Sequence, residues 1–240
     1  MIKENLRRLL KNASKIFNYS SNLETKELLY FQAFLNLLPE KHDFYPFGGS
    51  ANSSLLYFLG RFLKEFRGLN IVELGMGQTT MLLNMFVDNQ ANHFSIDDNE
   101  FWIDSVKSKL INPDQSQLIF RNLTEVEVSK NKTLFYQDFE SIFENKIVDL
   151  VIVDGPKGTK KFSRCGILPF LVKRFSDQDD MLVIFDDTHR KPELETFHLL
   201  IKMLKNENHW NDQYKIKYIN AMKSQACLIK GKKFLSANYY

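Results

Sequence analysis

The feature that most constrains the fold is a regular alternation, beginning at Leu69, of short apolar runs with segments of helical periodicity. The runs are nearly continuous in Val, Ile and Leu, as in strands that are buried on both faces. Strands joined by helices need crossover connections, which produce a parallel sheet. The sequence therefore predicts an α/β fold. The predicted parallel strands are LNIVEL, HFSID, QLIFR, KIVDLVIVD and DMLVIFDD.

The segments between and after these strands have helical spacing. We predict helices over residues 78–89, 99–110, 161–175 and 192–207, the last with a proline in its first turn. Two segments of alternating polarity, QYKIKYINA and SQACLIKG, close the chain. Such alternation predicts an antiparallel pair at the end of the sheet.

The first 52 residues have a different organisation, which predicts a helical N-terminal extension. Helices are expected over residues 2–17 and over Glu24–Leu38, before Pro39. The basic side of the first helix leaves open a weak contact with an anionic membrane surface, and the alternative is packing of its apolar side on the domain.

The main domain is predicted to span residues 53–240. Its first helix is expected over about Ser53–Phe66, with Ser53 or Ser54 as the N-cap. The preceding aromatic loop, residues 44–54, is expected to form a lid together with the extension.

Composition excludes some functional classes. Lys+Arg 32 against Asp+Glu 29 gives a net charge of +3, which does not favour a nucleic-acid binder. No apolar run approaches the roughly 18–20 residues of a membrane span, and the N-terminus does not resemble a secretory signal. The two cysteines, Cys165 and Cys227, are expected to be reduced thiols of a cytoplasmic protein. A homo-oligomer stays open.

The end of the first strand predicts a ligand-binding turn. Gly75 and Gly77 let the backbone turn and approach a ligand, and the helix that follows directs unpaired N–H groups toward it. Asp97 ends the second strand, about 22 residues after Gly75, where a carboxylate can accept both ribose hydroxyls. The pair favours an adenosine-bearing ligand. A dinucleotide-binding turn would have a third glycine where Thr80 stands.

Four motifs in order resemble the class I S-adenosylmethionine-dependent methyltransferase family. They are ELGMGQTT, FSIDDNEFW, DLVIVDGPKG and VIFDDTHR, and the resemblance covers roughly residues 50–230. It implies a Rossmann-like, doubly wound sheet of about seven strands with the last pair antiparallel. It also implies S-adenosylmethionine as the cofactor.

The resemblance assigns roles to the residues after the first two strands. Glu73, Gly75 and Gly77 would shape the methionine pocket, and Asp97 would hold the ribose. The helix start would lie near the amino-acid end of the cofactor, although many family members have serine at the first of its two threonines. Those threonines are Thr79 and Thr80. No motif identifies the adenine contacts, for which the candidates are Asn122 and Asp138.

Three acidic residues follow the fourth and fifth strands and predict a metal site. Adjacent strand ends would bring Asp154 close to Asp186 and Asp187, and carboxylates crowded in this way repel one another unless they are protonated or bridged by a cation. The arrangement is similar to the divalent-metal site of catechol-type and macrolide-sugar O-methyltransferases. Oxygen ligands suit Mg²⁺, Ca²⁺ or Mn²⁺. The alternative is that Asp186 or Asp187 caps the following turn.

Two residues are candidates for the base that takes the acceptor's proton. Lys157 has the D-x-x-K spacing of the catechol-type base, and His189 has the side chain that ordinarily titrates nearest neutral pH. Each has a structural alternative, a solvated loop lysine and a turn histidine. Arg164 and Arg190 suit either an anionic group of the substrate or ion pairs within the protein, and for Arg190 we favour the ion pairs.

The predicted activity is O-methylation of a small-molecule or saccharide acceptor, assisted by a divalent metal if the acidic site binds one. One alternative is an oxidoreductase of the NAD type. The other is a protein that binds the cofactor without catalysis. Acceptor-binding loops vary freely on one fold, so the sequence does not identify the acceptor.

Overall fold

The computed structural model describes residues 22–39, 44, 51–87, 91–144, 146–207 and 209–240. Its centre is a seven-stranded sheet, and a separate two-stranded hairpin lies beside it. Five strands run parallel to one another. The last two strands in the chain pair antiparallel with each other, and the final strand also pairs antiparallel with the fifth parallel strand. The predicted doubly wound sheet with an antiparallel end is confirmed.

The strands are numbered in chain order. They are β1 (Asn70–Leu74), β2 (Asn92–Asp97), β3 (Ser116–Phe120), β4 (Leu123–Val128), β5 (Asn131–Tyr136), β6 (Leu150–Val153), β7 (Met181–Phe185), β8 (Tyr214–Ile219) and β9 (Gln225–Lys230). The main sheet has the order β3-β2-β1-β6-β7-β9-β8, and among the described residues β4 pairs only with β5.

Six α-helices are present among the described residues. They are α1 (residues 22–35), α2 (Ser53–Glu65), α3 (Gln78–Phe86), α4 (Glu100–Lys107), α5 (Leu168–Asp177) and α6 (Lys191–Asn206). None is long and apolar enough to cross a membrane. The helix predicted over residues 2–17, with its suggested membrane contact, lies outside the described residues.

Strand β6 shows why the central strands have no polar face. Leu150 and Ile152 pack in the core that contains α2 and α3, whereas Val151 and Val153 pack on the opposite side against α5 and α6. Successive side chains of a strand point to opposite faces, so a central strand covered on both sides must be apolar throughout.

Asn52 joins helix α1 to the rest of the chain, beside apolar contacts such as that of Tyr30 with Tyr57. Helix α2 begins at Ser53, so the N-cap position is Asn52 and the prediction of Ser53 or Ser54 is wrong. The Asn52 side chain makes no capping hydrogen bond to the helix. It donates instead to Glu27 of α1 and to the backbone carbonyl of Lys223 between β8 and β9. Local sequence does not reveal such distant acceptors.

Two further segments differ from the sequence predictions. The helix expected over residues 161–175 begins only at Leu168, after a short 3₁₀ turn at Cys165–Ile167. Arg164 precedes that turn with a left-handed backbone, φ 65°, which a continuous helix does not allow. The hairpin of β4 and β5 was not predicted, although LTEVEV and NKTLFY are its strands.

Candidate active site

The candidate site lies where the sheet order reverses, between β1 and β6. Here the loop after β1 and the loop after β6 touch through their glycines. A Cβ built on Gly75 would lie 2.9 Å from the backbone nitrogen of Gly155, and one built on Gly155 would lie 2.7 Å from that of Gly75. Gly75 also has φ 86°, in the region that favours glycine. Both loops therefore need glycine, and ligands of open α/β sheets bind at this reversal.

Gly77 differs from Gly75 in both backbone and surroundings. Its φ of 173° is ordinary extended backbone, so the tight turn predicted for both glycines requires only Gly75. Among the described residues, no atom outside its immediate neighbours lies within 4 Å of a Cβ built on Gly77. Space in front of this position is what a closely approaching ligand requires.

A buried carboxylate is hydrogen-bonded to the residues that follow the glycine turn. Glu73, at the end of β1, is fully buried and accepts hydrogen bonds from the hydroxyls of Thr79, Thr80 and Ser95. These bonds tie the first turn of α3 and the neighbouring strand β2 to β1. Both threonines thus face Glu73 and are themselves buried. The contacts of all three residues with the amino-acid end of a cofactor stay predictions.

Asp97 is oriented by backbone groups at the end of β2. Its two carboxylate oxygens accept from the N–H of Met76, within the glycine turn, and from the N–H of Asn99, each at 3.0 Å. Burial raises the pKa of Asp97, and these N–H groups oppose that rise. The carboxylate is therefore fixed beside the turn, as a ribose acceptor requires, and its ribose contact stays a prediction.

A polar cavity adjoins Asp97 at the end of β3. Phe120, the last residue of β3, is the register partner of Asp97. The cavity measures about 480 Å³ and includes both residues proposed from sequence for adenine, Asn122 and Asp138. Its lining is Phe120, Arg121, Asn122, Gln137, Asp138 and Ser141.

Sequence reasoning missed Tyr136, the last residue of β5. Its side chain is buried, with 3% exposure, and its hydroxyl has no hydrogen-bond partner among the described residues. A Cβ built on Gly155 would lie 2.6 Å from this hydroxyl, which places it at the contact between the two glycine loops. Burial, followed by the charge of Asp97, raises the pKa of Tyr136. The alternating pattern of NKTLFY could have identified β5 as a strand and Tyr136 as its last residue, but it was not interpreted as a strand from the sequence.

The three acids predicted to meet do so. One oxygen from each of Asp154, Asp186 and Asp187 lies within 4.8 Å of the others, at the adjoining ends of β6 and β7. Burial raises the pKa of Asp154, and the charge of Asp186 raises it further. Burial raises the pKa of Asp186 as well, and Asp187 adds to that rise. The predicted convergence of carboxylates is confirmed, and the divalent cation stays a prediction.

Side chains of the protein already satisfy this cluster. Arg164 lies 3.1 Å from Asp154 Oδ1 and 3.4 Å from Asp187 Oδ2, and Arg190 makes an ion pair with Asp187. The third acid, Asp186, accepts from the amide of Gln225 at 2.8 Å. As arranged, the donor set does not fit a divalent cation, because a guanidinium already bridges two of the three carboxylates.

The two candidate bases lie on the loops that follow β6 and β7. Lys157 and His189 are both exposed, and both follow strands whose carboxyl ends form this site. Among the described contacts neither side chain makes an ion pair with the acid cluster. Their assignment as base therefore stays a prediction.

No protein-family model matches the sequence, and no curated protein matches it. Solved structures do resemble it. The O-methyltransferase TomG from Streptomyces achromogenes, involved in tomaymycin synthesis and in complex with S-adenosylmethionine, has a TM-score of 0.52 at 13% identity, covering 85% of this chain and 88% of that one. The O-methyltransferase from Bacillus cereus in complex with S-adenosylhomocysteine has a TM-score of 0.50 at 14% identity, covering 88% of this chain and 91% of that one.

At these identities the likeness concerns the fold. Sheet order, the antiparallel end and the glycine turn at the reversal agree with what the sequence motifs imply. The chain has the Rossmann-like fold of the class I S-adenosylmethionine-dependent methyltransferases.

Proposed function

We propose that this protein is an S-adenosylmethionine-dependent methyltransferase that methylates an oxygen of a small-molecule or saccharide acceptor. The observation that carries the proposal is the contact between Gly75 and Gly155 at the sheet reversal, with Asp97 fixed directly beside it. The fold of the two O-methyltransferases described above supports it.

The residues of the site fit the proposed cofactor in three places. The cavity at the end of β3, with Asn122 and Asp138, is large enough for a purine ring and adjoins Asp97. Asp97 would accept the ribose hydroxyls. The unpartnered hydroxyl of Tyr136 and the space before Gly77 lie where the methionine part would pass. A buried hydroxyl without a partner costs free energy, and a ligand acceptor would recover it.

The bound cofactor supplies an electrophilic methyl group. The protein must hold the acceptor oxygen in line with that group and accept its proton. Lys157 and His189 are the proposed bases, since both are exposed at the site's rim. The lid predicted from the N-terminal extension and the loop over residues 44–54 lies largely outside the described residues. No step is assigned to a divalent metal, because Arg164 occupies the acid cluster.

Calorimetric titration with S-adenosylmethionine, S-adenosylhomocysteine and NAD tests the proposal. We expect the first two to bind and NAD not to bind. Asp97→Ala should weaken binding about tenfold or more, because losing a charged hydrogen-bond partner costs about 1.5–3 kcal/mol. Asp98→Ala is the matched control, since Asp98 is the adjacent, exposed carboxylate. Circular dichroism of both variants verifies folding.

Three results discriminate among the functional classes. Binding of NAD without S-adenosylmethionine would establish the oxidoreductase alternative. Binding of S-adenosylmethionine with no methyl transfer to any of a panel of phenols, catechols and sugars would favour a non-catalytic protein. No binding of either cofactor would overturn the proposal.

The base is tested once an acceptor is found. Lys157→Met should lower kcat and change its pH profile if Lys157 takes the proton. Lys160→Met, at an exposed lysine of the same loop, should change neither. If Lys157→Met is unchanged and His189→Asn alters the profile, the base is His189.

A further inference from the structure

The strongest unexplained feature is a buried arginine inside the acid cluster. The Arg164 side chain is 6% exposed and its guanidinium contacts two carboxylates, Asp154 and Asp187. It also donates to the backbone carbonyl of Val153 at 3.3 Å. Its remaining nitrogen, Nε, is buried and has no partner among the described residues. The Arg164 guanidinium therefore makes its polar contacts inside the candidate site.

The backbone that carries Arg164 is fixed. The preceding residue, Ser163, donates its N–H to Pro192 at the start of α6 and its hydroxyl to Glu193 at 3.1 Å. The Ser163 carbonyl accepts from Thr196 at 2.6 Å. Arg164 therefore enters the cluster from a rigid turn and not from a mobile surface loop.

Side chains of the protein partner all three carboxylates of the cluster. Arg164 and Arg190 make ion pairs with Asp154 and Asp187, and Asp186 accepts a hydrogen bond from Gln225. A dication placed among these carboxylates would lie close to the Arg164 guanidinium and repel it. Expelling that guanidinium from its partners would leave a buried charge uncompensated, which is strongly unfavourable.

We propose that Arg164 is the resident cation of this cluster and takes the place of a divalent metal. One guanidinium nitrogen, Nη2, contacts both Asp154 and Asp187, and the other, Nη1, donates to the Val153 carbonyl, so the group is held on two sides. Arg164 is a positioning residue: it holds Asp154 directly after β6, and the Asp154 side chain is 31% exposed. The catalytic consequence, methyl transfer without metal, rests on the proposed function.

Mn²⁺ binding, measured by water-proton relaxation, tests the proposal directly. Wild-type protein, saturated with S-adenosylhomocysteine, should bind no Mn²⁺ at this cluster at millimolar concentration. Arg164→Met removes the cation and leaves three carboxylates, so it should bind Mn²⁺ at least tenfold more tightly than wild type. Adding Asp154→Asn to that variant should abolish the gain. Arg190→Met is the matched control and should show no such gain, because Arg164 remains between Asp154 and Asp187.

Several outcomes overturn the proposal. One is stoichiometric Mn²⁺ binding by wild type that Asp154→Asn removes. Another is a folded Arg164→Met variant that gains no Mn²⁺ affinity. If Arg164→Met does not fold, two measurements on the wild-type protein decide. Mn²⁺ should not bind at the cluster, and the rate of methyl transfer should be unchanged by EDTA. Failure of S-adenosylmethionine to bind in calorimetry would overturn the proposed function, whereas the manganese result would still judge the role of Arg164.

Discussion

The two halves of the candidate site are built by different means. On the cofactor side, at the ends of β1 and β2, position is set by backbone contacts and hydrogen bonds: Gly75 against Gly155, and Asp97 on backbone N–H groups. On the other side, at the ends of β6 and β7, position is set by ion pairs of Arg164 and Arg190. The difference indicates that the contact between Gly75 and Gly155 tolerates no added side chain, whereas the acid side depends on ion pairs.

Glu73→Ala should have the largest effect, because Glu73 is the support of the cofactor side. Its removal leaves the hydroxyls of Thr79, Thr80 and Ser95 buried without their acceptor. We expect a loss of about 3–5 kcal/mol in the free energy of unfolding, measured by urea denaturation. Glu100→Ala, at an exposed position, is the control. A loss below about 1 kcal/mol would show that the network does not hold the turn.

Gly155→Ala should have the next largest effect. The added methyl group would meet the backbone of Gly75 at 2.7 Å and the Tyr136 hydroxyl at 2.6 Å. Overpacking of this kind costs about 1–3 kcal/mol of stability. Thermal unfolding measures this loss of stability. The double variant Gly155→Ala with Tyr136→Phe should recover only part of the lost stability, because the contact with Gly75 remains. An unchanged melting temperature would mean that the two loops separate readily.

Gly77→Val separates ligand binding from stability on the same side. Its backbone is extended and its Cβ would meet no described atom, so the stability loss should stay below about 1 kcal/mol. The side chain would occupy the space proposed for the cofactor, and affinity for S-adenosylmethionine should fall about tenfold or more, which is about 1.4 kcal/mol. Unchanged affinity in calorimetry would exclude this turn from the binding site.

Arg190→Ala should have the smallest effect. The Arg190 side chain is 47% exposed, although it pairs with Asp187 and lies 3.3 Å from Glu193. Asp187 keeps its contact with Arg164 and the Arg190 guanidinium is itself reached by solvent, so urea denaturation should show a change of about 1 kcal/mol or less. Its effect should decrease further with added salt. A loss comparable to that of Glu73→Ala would show that the acid side is as rigid as the cofactor side.

The sequence predicted the positions of the strand-end acids better than their contacts. Strand ends place Asp97, Asp154, Asp186 and Asp187 at one edge, because parallel strands share their carboxyl ends. The inward orientation of Thr79 toward Glu73 was not predictable, since the neighbouring strand supplies part of the same network. The N-cap prediction failed for a similar reason, because Asn52 binds groups distant in the chain.

By itself, the sequence determined the sheet and its polarity. The apolar runs allowed only strands covered on both faces, and the alternating segments allowed the antiparallel end, since both patterns depend on local periodicity. Only the tertiary structure decided that Gly77 needs no special backbone, that Tyr136 reaches the glycine contact and that Arg164 bridges Asp154 and Asp187. These facts depend on which loops meet across the sheet reversal, and packing between residues far apart in the chain sets such meetings.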